Sequence, residues 1–131
     1  MVGDAVHRTI KKILLQMAQY GQIQLNNPAE FARREILTKC WNDALNEKWR
    51  GSPKKHPPVF EIYYDQKPPP ERLKGLGKKL TRCMDTFLNS PLYETLKTDS
   101  PEQWLAIDPD VNEAPKLLVH NHIVWALPDF V

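Results

Sequence analysis

Proline constrains this chain more than any other residue. Twelve prolines stand against five glycines. A proline ring fixes φ and removes a backbone donor, so it starts a helix or stops one and is excluded from the interior of a paired strand. Here Pro28, Pro53, Pro57, Pro58, Pro68, Pro69, Pro70, Pro91 and Pro101 cut the first hundred residues into short pieces. The spacing predicts short helices with hard stops, joined by stiff connections and not by flexible linkers.

Size sets the next limit. The chain has 131 residues, of which 41% are hydrophobic. That suits a single domain spanning 1–131 with a modest core. The expected fold class is mainly α, a compact bundle of about four to six helices with proline-rich connectors and one short extended segment.

The segment from Asp4 to Tyr20 places Val6, Ile10, Ile13, Leu14 and Met17 on one stripe at helical spacing, with Arg8, Lys11 and Lys12 opposite. Gly21 is the expected stop. A second helix opens at Asn27-Pro28-Ala29-Glu30, where Asn27 can cap, Pro28 fits the first position and Glu30 can reach back. Projected as an α-helix, Phe31, Leu37, Cys40, Trp41, Ala44, Leu45 and Trp49 share its apolar face. Glu35, Lys39, Asp43, Asn46 and Glu47 share the wet one, and Gly51 with Ser52-Pro53 ends it. Trp41 and Trp49 are expected in the core.

Lys54-Lys55-His56-Pro57-Pro58 is a basic connector. Val59 to Tyr64 is rich in β-branched and aromatic residues and reads as a short strand or as an extended segment lying on helices. Core or interface packing is expected for Tyr63, Tyr64 and Trp104, with stacking on unpaired bases as the alternative. Pro68-Pro69-Pro70 is a stiff spacer. Ser90-Pro91 and Ser100-Pro101 each read as a cap followed by a first-turn proline, starting two short helices, and Gln103 completes a capping box. Ile107 to Pro115 reads as a loop. Lys116 to Leu127 is apolar all round when projected as a helix, and periodicity leaves buried helix and strand equally open.

Between the triple proline and Ser90 lies ERLKGLGKKLTRCMDTFL, residues Glu71 to Leu88. A phosphate-binding loop needs Gly-Lys-Ser/Thr at a fixed distance after a first glycine, between a strand and a helix. Here two residues separate Lys78 from Thr81, and polyproline precedes the stretch, so the spacing excludes that motif. A helix accommodates it. Leu73, Leu76, Leu80, Cys83, Met84, Phe87 and Leu88 share one face, and Arg72, Lys74, Lys78, Lys79 and Arg82 occupy the other, with Gly75 outward and Gly77 inward. Glu71 and Asp85 are the acids in that stretch. A solvated face and a nucleic-acid backbone contact are the competing readings of so one-sided a charge distribution.

No catalytic constellation is visible, and the chain is expected not to be an enzyme. No serine sits in a nucleophile elbow, and Cys40 has no histidine nearby in sequence. Asp108, Asp110 and Glu113 lack the turn glycine of a calcium loop. Val119-His120-Asn121-His122-Ile123 places two histidines two apart, which could share a strand face, but no third ligand is near; no metal and no cofactor are expected. Cys40 and Cys83 are expected as reduced, buried thiols. No signal peptide and no apolar run of the ~18 residues a membrane span needs is present, so a soluble, cytoplasmic protein is expected.

A small, mainly helical chain with cationic helix faces and no catalytic set resembles the small subunit of CRISPR Cascade-type surveillance complexes. In the type I-D branch that subunit is similar to the helical C-terminal part of the large subunit. A Met-Val-Gly-Asp start leading straight into a helix would suit translation from inside a longer reading frame. The resemblance implies a non-catalytic subunit of a ribonucleoprotein, present in more than one copy. It would contact its own copies, other subunits and the guide RNA complex, and hold the backbone of displaced single-stranded DNA without reading sequence. Carried onto this chain, the implied contacts are Lys74, Lys78, Lys79 and Arg82, then Arg72, Arg8, Lys11, Lys12, Lys54 and Lys55. The alternative is a protein-interaction or scaffolding subunit of another assembly.

Overall fold

The computed structural model describes residues 1–64, 68–104, 107 and 116–125. It is mainly helical, as the proline spacing requires. Helix α1 (Val2–Tyr20) buries Ala5, Thr9, Ile13, Leu14 and Met17. Thr9 joins this apolar stripe because its hydroxyl donates to the Ala5 carbonyl at 2.7 Å, so no polar group is left bare. Gly21 ends the helix as predicted, at φ 67°, with its N–H on the Met17 carbonyl at 2.9 Å.

The second helical stretch opens as predicted: the Asn27 side chain accepts from the Glu30 N–H at 2.9 Å, with Pro28 in the first turn. It is not one α-helix, however. Helix α2 (Pro28–Phe31) passes into a π-helical segment, Ala32–Thr38, before α3 (Lys39–Leu45). The wider π turn, bonded i to i+5, rotates the chain relative to an α projection. Its buried positions are Ala32, Ile36, Leu37, Trp41 and Ala44, so Ala32 and Ile36 enter the core and Leu45, expected there, is 46% exposed. The steps from Ala32 to Leu37 and from Ile36 to Trp41 span five residues each, a π repeat. The Thr38 hydroxyl follows it, donating to the Arg33 carbonyl at 2.8 Å. The helix also stops early. Glu47 adopts φ 51° and a 3-10 turn, Lys48–Arg50, follows, which leaves Trp49 half-buried and outside the helix.

Residues 59–64 are not extended. Helix α4 (Phe60–Tyr64) forms on the Val59 carbonyl, which accepts from Ile62 and Tyr63 at 3.0 and 2.9 Å. With no described strand beside it, local bonding satisfies this backbone better than an unpaired edge would. Val59 is buried and packs with Trp41 and Ala44 in a small satellite core that Ile62 joins.

Helix α5 (Pro70–Leu88) covers the stretch argued above to be helical and buries Gly77, Leu80 and Met84. Helix α6 (Pro91–Thr98) starts where Ser90 predicted it, the Ser90 hydroxyl accepting from the Tyr93 N–H at 3.1 Å. The second such start yields only a single 3-10 turn, Pro101–Gln103, and the Ser100 side chain does not cap it. The main core draws on α1, the 28–45 stretch, α5 and α6, with Leu37, Ile13, Leu80 and Met84 fully buried at its centre.

Lys116 to Leu127 falls to neither of the two readings as a single element. Strand β1 (Lys116–Val119) turns back into β2 (His122–Trp125), pairing antiparallel with Val119 opposite His122 and Lys116 opposite Trp125. His120 and Asn121 form the turn with φ of 48° and 64°, the left-handed pair that a two-residue hairpin loop demands. The expected loop between Ile107 and Pro115 lies almost wholly outside the described residues. Among the described residues no helix is long and apolar enough to cross a membrane.

Candidate nucleic-acid interface

Helix α5 is the wall on which the predicted cations sit. Lys74, Lys78 and Arg82 recur every four residues and so form one ridge along it. Together they line a groove of about 880 Å³ between α5 and the π segment. Leu37, Leu73 and Gly77 contribute its apolar surface, and Asp85 is the one acid among its described lining residues. Arg33 forms part of the opposite wall. Its guanidinium donates twice to Glu30, at 2.7 and 3.0 Å. This bidentate contact is the main reason the Glu30 carboxyl is held below, and the Arg33 guanidinium above, its ordinary value. Both groups are well exposed, so the pair contributes little to stability. It does orient Arg33, whose Cδ and Cγ lie 3.6 and 3.8 Å from where a Cβ at Gly77 would stand. A Cβ at Gly77 would therefore rest in ordinary contact with Arg33, whose stem lies across the groove against α5.

Lys74, Lys78 and Arg82 are all exposed, and among the described residues none of them is in an ion pair. The remaining predicted contacts scatter. Lys79 points to the other flank of α5 and lines a second cleft of about 630 Å³ with Leu76 and Phe60. Arg72 is exposed and lines neither cavity. Arg8, Lys54 and Lys55 share a third cleft of about 390 Å³ with Asp4, Glu35 and Asp43, a mixed-charge wall that offers an anion much less. Within it Arg8 pairs with Asp4 at 3.6 Å. Lys12 lies 4.3 Å above the Phe31 ring, and Lys11 is half-buried. The structure thus brings together Lys74, Lys78 and Arg82 and adds Arg33, which the sequence reading passed over. The Arg33-Arg34 pair three residues after Glu30 was the available signal.

Asp43 anchors the basic connector. It accepts from Lys48 Nζ and lies 3.1 Å from His56 Nδ1. Lys48 is the first cause of its lowered pKa, and His56 adds to it. Beyond this anchor, Trp49, Tyr63, Tyr64 and Phe60 form a chain of ring contacts. Tyr63 and Tyr64 are exposed, whereas Trp104 is half-buried against the main core.

His120 lies in the hairpin turn and His122 at the start of β2, so the two do not share one strand's face. Among the described residues no three His, Cys, Asp or Glu side chains gather as a metal site. Cys40 and Cys83 are free thiols, half-buried and not fully enclosed. Burial pushes the Cys40 thiol up, and the nearby Asp4 carboxylate adds to the effect.

No known protein family, curated protein or solved structure matches this chain.

Proposed function

We propose that this chain is a non-catalytic nucleic-acid-binding subunit of a cytoplasmic ribonucleoprotein, holding the sugar-phosphate backbone of a single strand in the groove between the π segment and α5. The carrying observation is the ridge of Lys74, Lys78 and Arg82, unpaired among the described residues, over that groove of about 880 Å³. An unpaired surface cation gains most from a phosphate because it gives up no existing partner, and each contact releases condensed counterions. The flexible lysines supply charge without base-edge geometry, which suits binding without sequence readout. In a complex of the Cascade type that the sequence resembles, the strand would be the displaced DNA.

The test is binding of a dye-labelled oligo-dT across a salt series. Three phosphate contacts give a log–log slope of about −2 for single strands. Lys78→Glu/Arg82→Glu should flatten that slope by about 1.4 and cost well over ten-fold in affinity at low salt. Both side chains are exposed, so the fold should persist by circular dichroism. Unchanged affinity and slope would remove the groove from the account.

A scaffolding role is the second reading. The observation behind it is the hairpin's apolar exposure, 72% at Leu118 and 45% at Val119. Leu118→Ser would then dissociate an assembly detected by sedimentation while leaving oligo-dT binding intact.

A further inference from the structure

We infer that Phe60, Tyr63 and Tyr64, backed by Trp49, form a stacking platform for unpaired bases; this rests on the backbone-binding reading and gives the bases of the same strand a place. The four rings form a continuous chain. Trp49 meets Tyr63 at 5.4 Å, Tyr63 meets Tyr64 at 4.9 Å, and Tyr64 meets Phe60 at 4.8 Å between ring centroids. The outer members are open to water: Phe60 is 72% exposed, Tyr64 71% and Tyr63 52%. The cause is local. Val59, just before this short helix, and Ile62 within it turn inward, so the aromatic residues between and after them face out. So large an apolar surface rimmed by polar groups marks a binding surface more often than it marks a free one.

Charge selects the occupant. The Arg50 guanidinium, already held by Glu47 at 2.7 and 3.1 Å, lies 4.5 Å above the Trp49 ring at one end of the chain and caps it rather than offering a free charge. At the other end, Lys79 lines the cleft of about 630 Å³ with Phe60 and is in no ion pair among the described residues. Lys79 follows Lys78 directly in α5, so this helix presents cations to the groove on one flank and to the platform's edge on the other. An apolar protein partner would bury Lys79 beside Phe60 without compensation. A single strand offers phosphates to the cations and π faces to the rings, and stacking accepts any base.

The test compares two probes of equal length, oligo-dT and an abasic deoxyribose-phosphate strand, against the wild type and Phe60→Ala/Tyr64→Ala. Both replaced residues are exposed, and circular dichroism checks the fold. The expected result is that the wild type prefers oligo-dT by about ten-fold or more, and that the double variant loses this preference with its salt slope unchanged. If both probes bind alike and the variant changes nothing, the platform is overturned while the groove reading stands. If neither probe binds the wild type, the groove reading fails and the platform falls with it. If the variant instead turns a self-associated species into a monomer without affecting oligo-dT, the rings form a protein interface and the inference is overturned.

Discussion

Asp43 lies two residues before the end of α3 and holds the chain that leaves it, through Lys48 in the following turn and His56 in the basic connector. The sequence marked it only as a wet-face acid, since nothing in its neighbourhood shows that a residue thirteen positions on returns to it. Its folded pKa is lowered, so the stability it contributes is present above the unfolded value of about 3.9 and is lost as pH falls through the folded value. Asp43→Asn should therefore melt lower than the wild type above about pH 5, with the margin closing below about pH 4. Thermal melts at intervals of pH check this, and a margin that survives at the acid end would show that the carboxylate charge is not its source. Arg33 makes a related point. Glu30 one turn earlier holds its guanidinium, and its stem packs against Gly77 in another helix; only the first of these could be read locally.

Helix α5 was legible in the sequence almost from end to end, because its apolar repeat is long and Pro70 and Asn89 bound it. Its two glycines weaken it. A Cβ at Gly75 would meet nothing within 4 Å, and one at Gly77 would touch Arg33 at an ordinary 3.6 Å. Gly75→Ala and Gly77→Ala should each raise unfolding stability by about 1 kcal/mol in urea titrations, since alanine removes backbone entropy from the unfolded chain without strain in either place. A decrease for Gly77→Ala would mean that Arg33 cannot yield even slightly. The shorter elements were harder to read. Val59 to Tyr64 has strand-like composition, but composition reports a preference for a pleated surface and this part of the chain has no described strand to pair with. The hairpin was hidden because its turn, His120-Asn121, carries only half of the usual signal: asparagine tolerates positive φ, while histidine is a rarer occupant.

At the scale of the whole molecule, the helical class and most helix starts followed from proline and its caps, which act within one turn. Packing decided the rest. The α-helical projection of residues 28–45 missed Ala32 and Ile36 because it assumed a constant pitch, and a π segment is not visible in residue preferences. Counted from Ala32, the buried residues stand at offsets 0, 4, 5, 9 and 12. Without one of the residues between Ala32 and Ile36 the offsets would be 0, 3, 4, 8 and 11, the stripe of an unbroken α-helix. The π segment therefore acts as a one-residue wedge in an α-helical stripe, absorbed without disturbing the faces before and after it. Excising the exposed Arg34 should be tolerated far better than excising a residue from the middle of α1, as soluble yield and melting temperature would show.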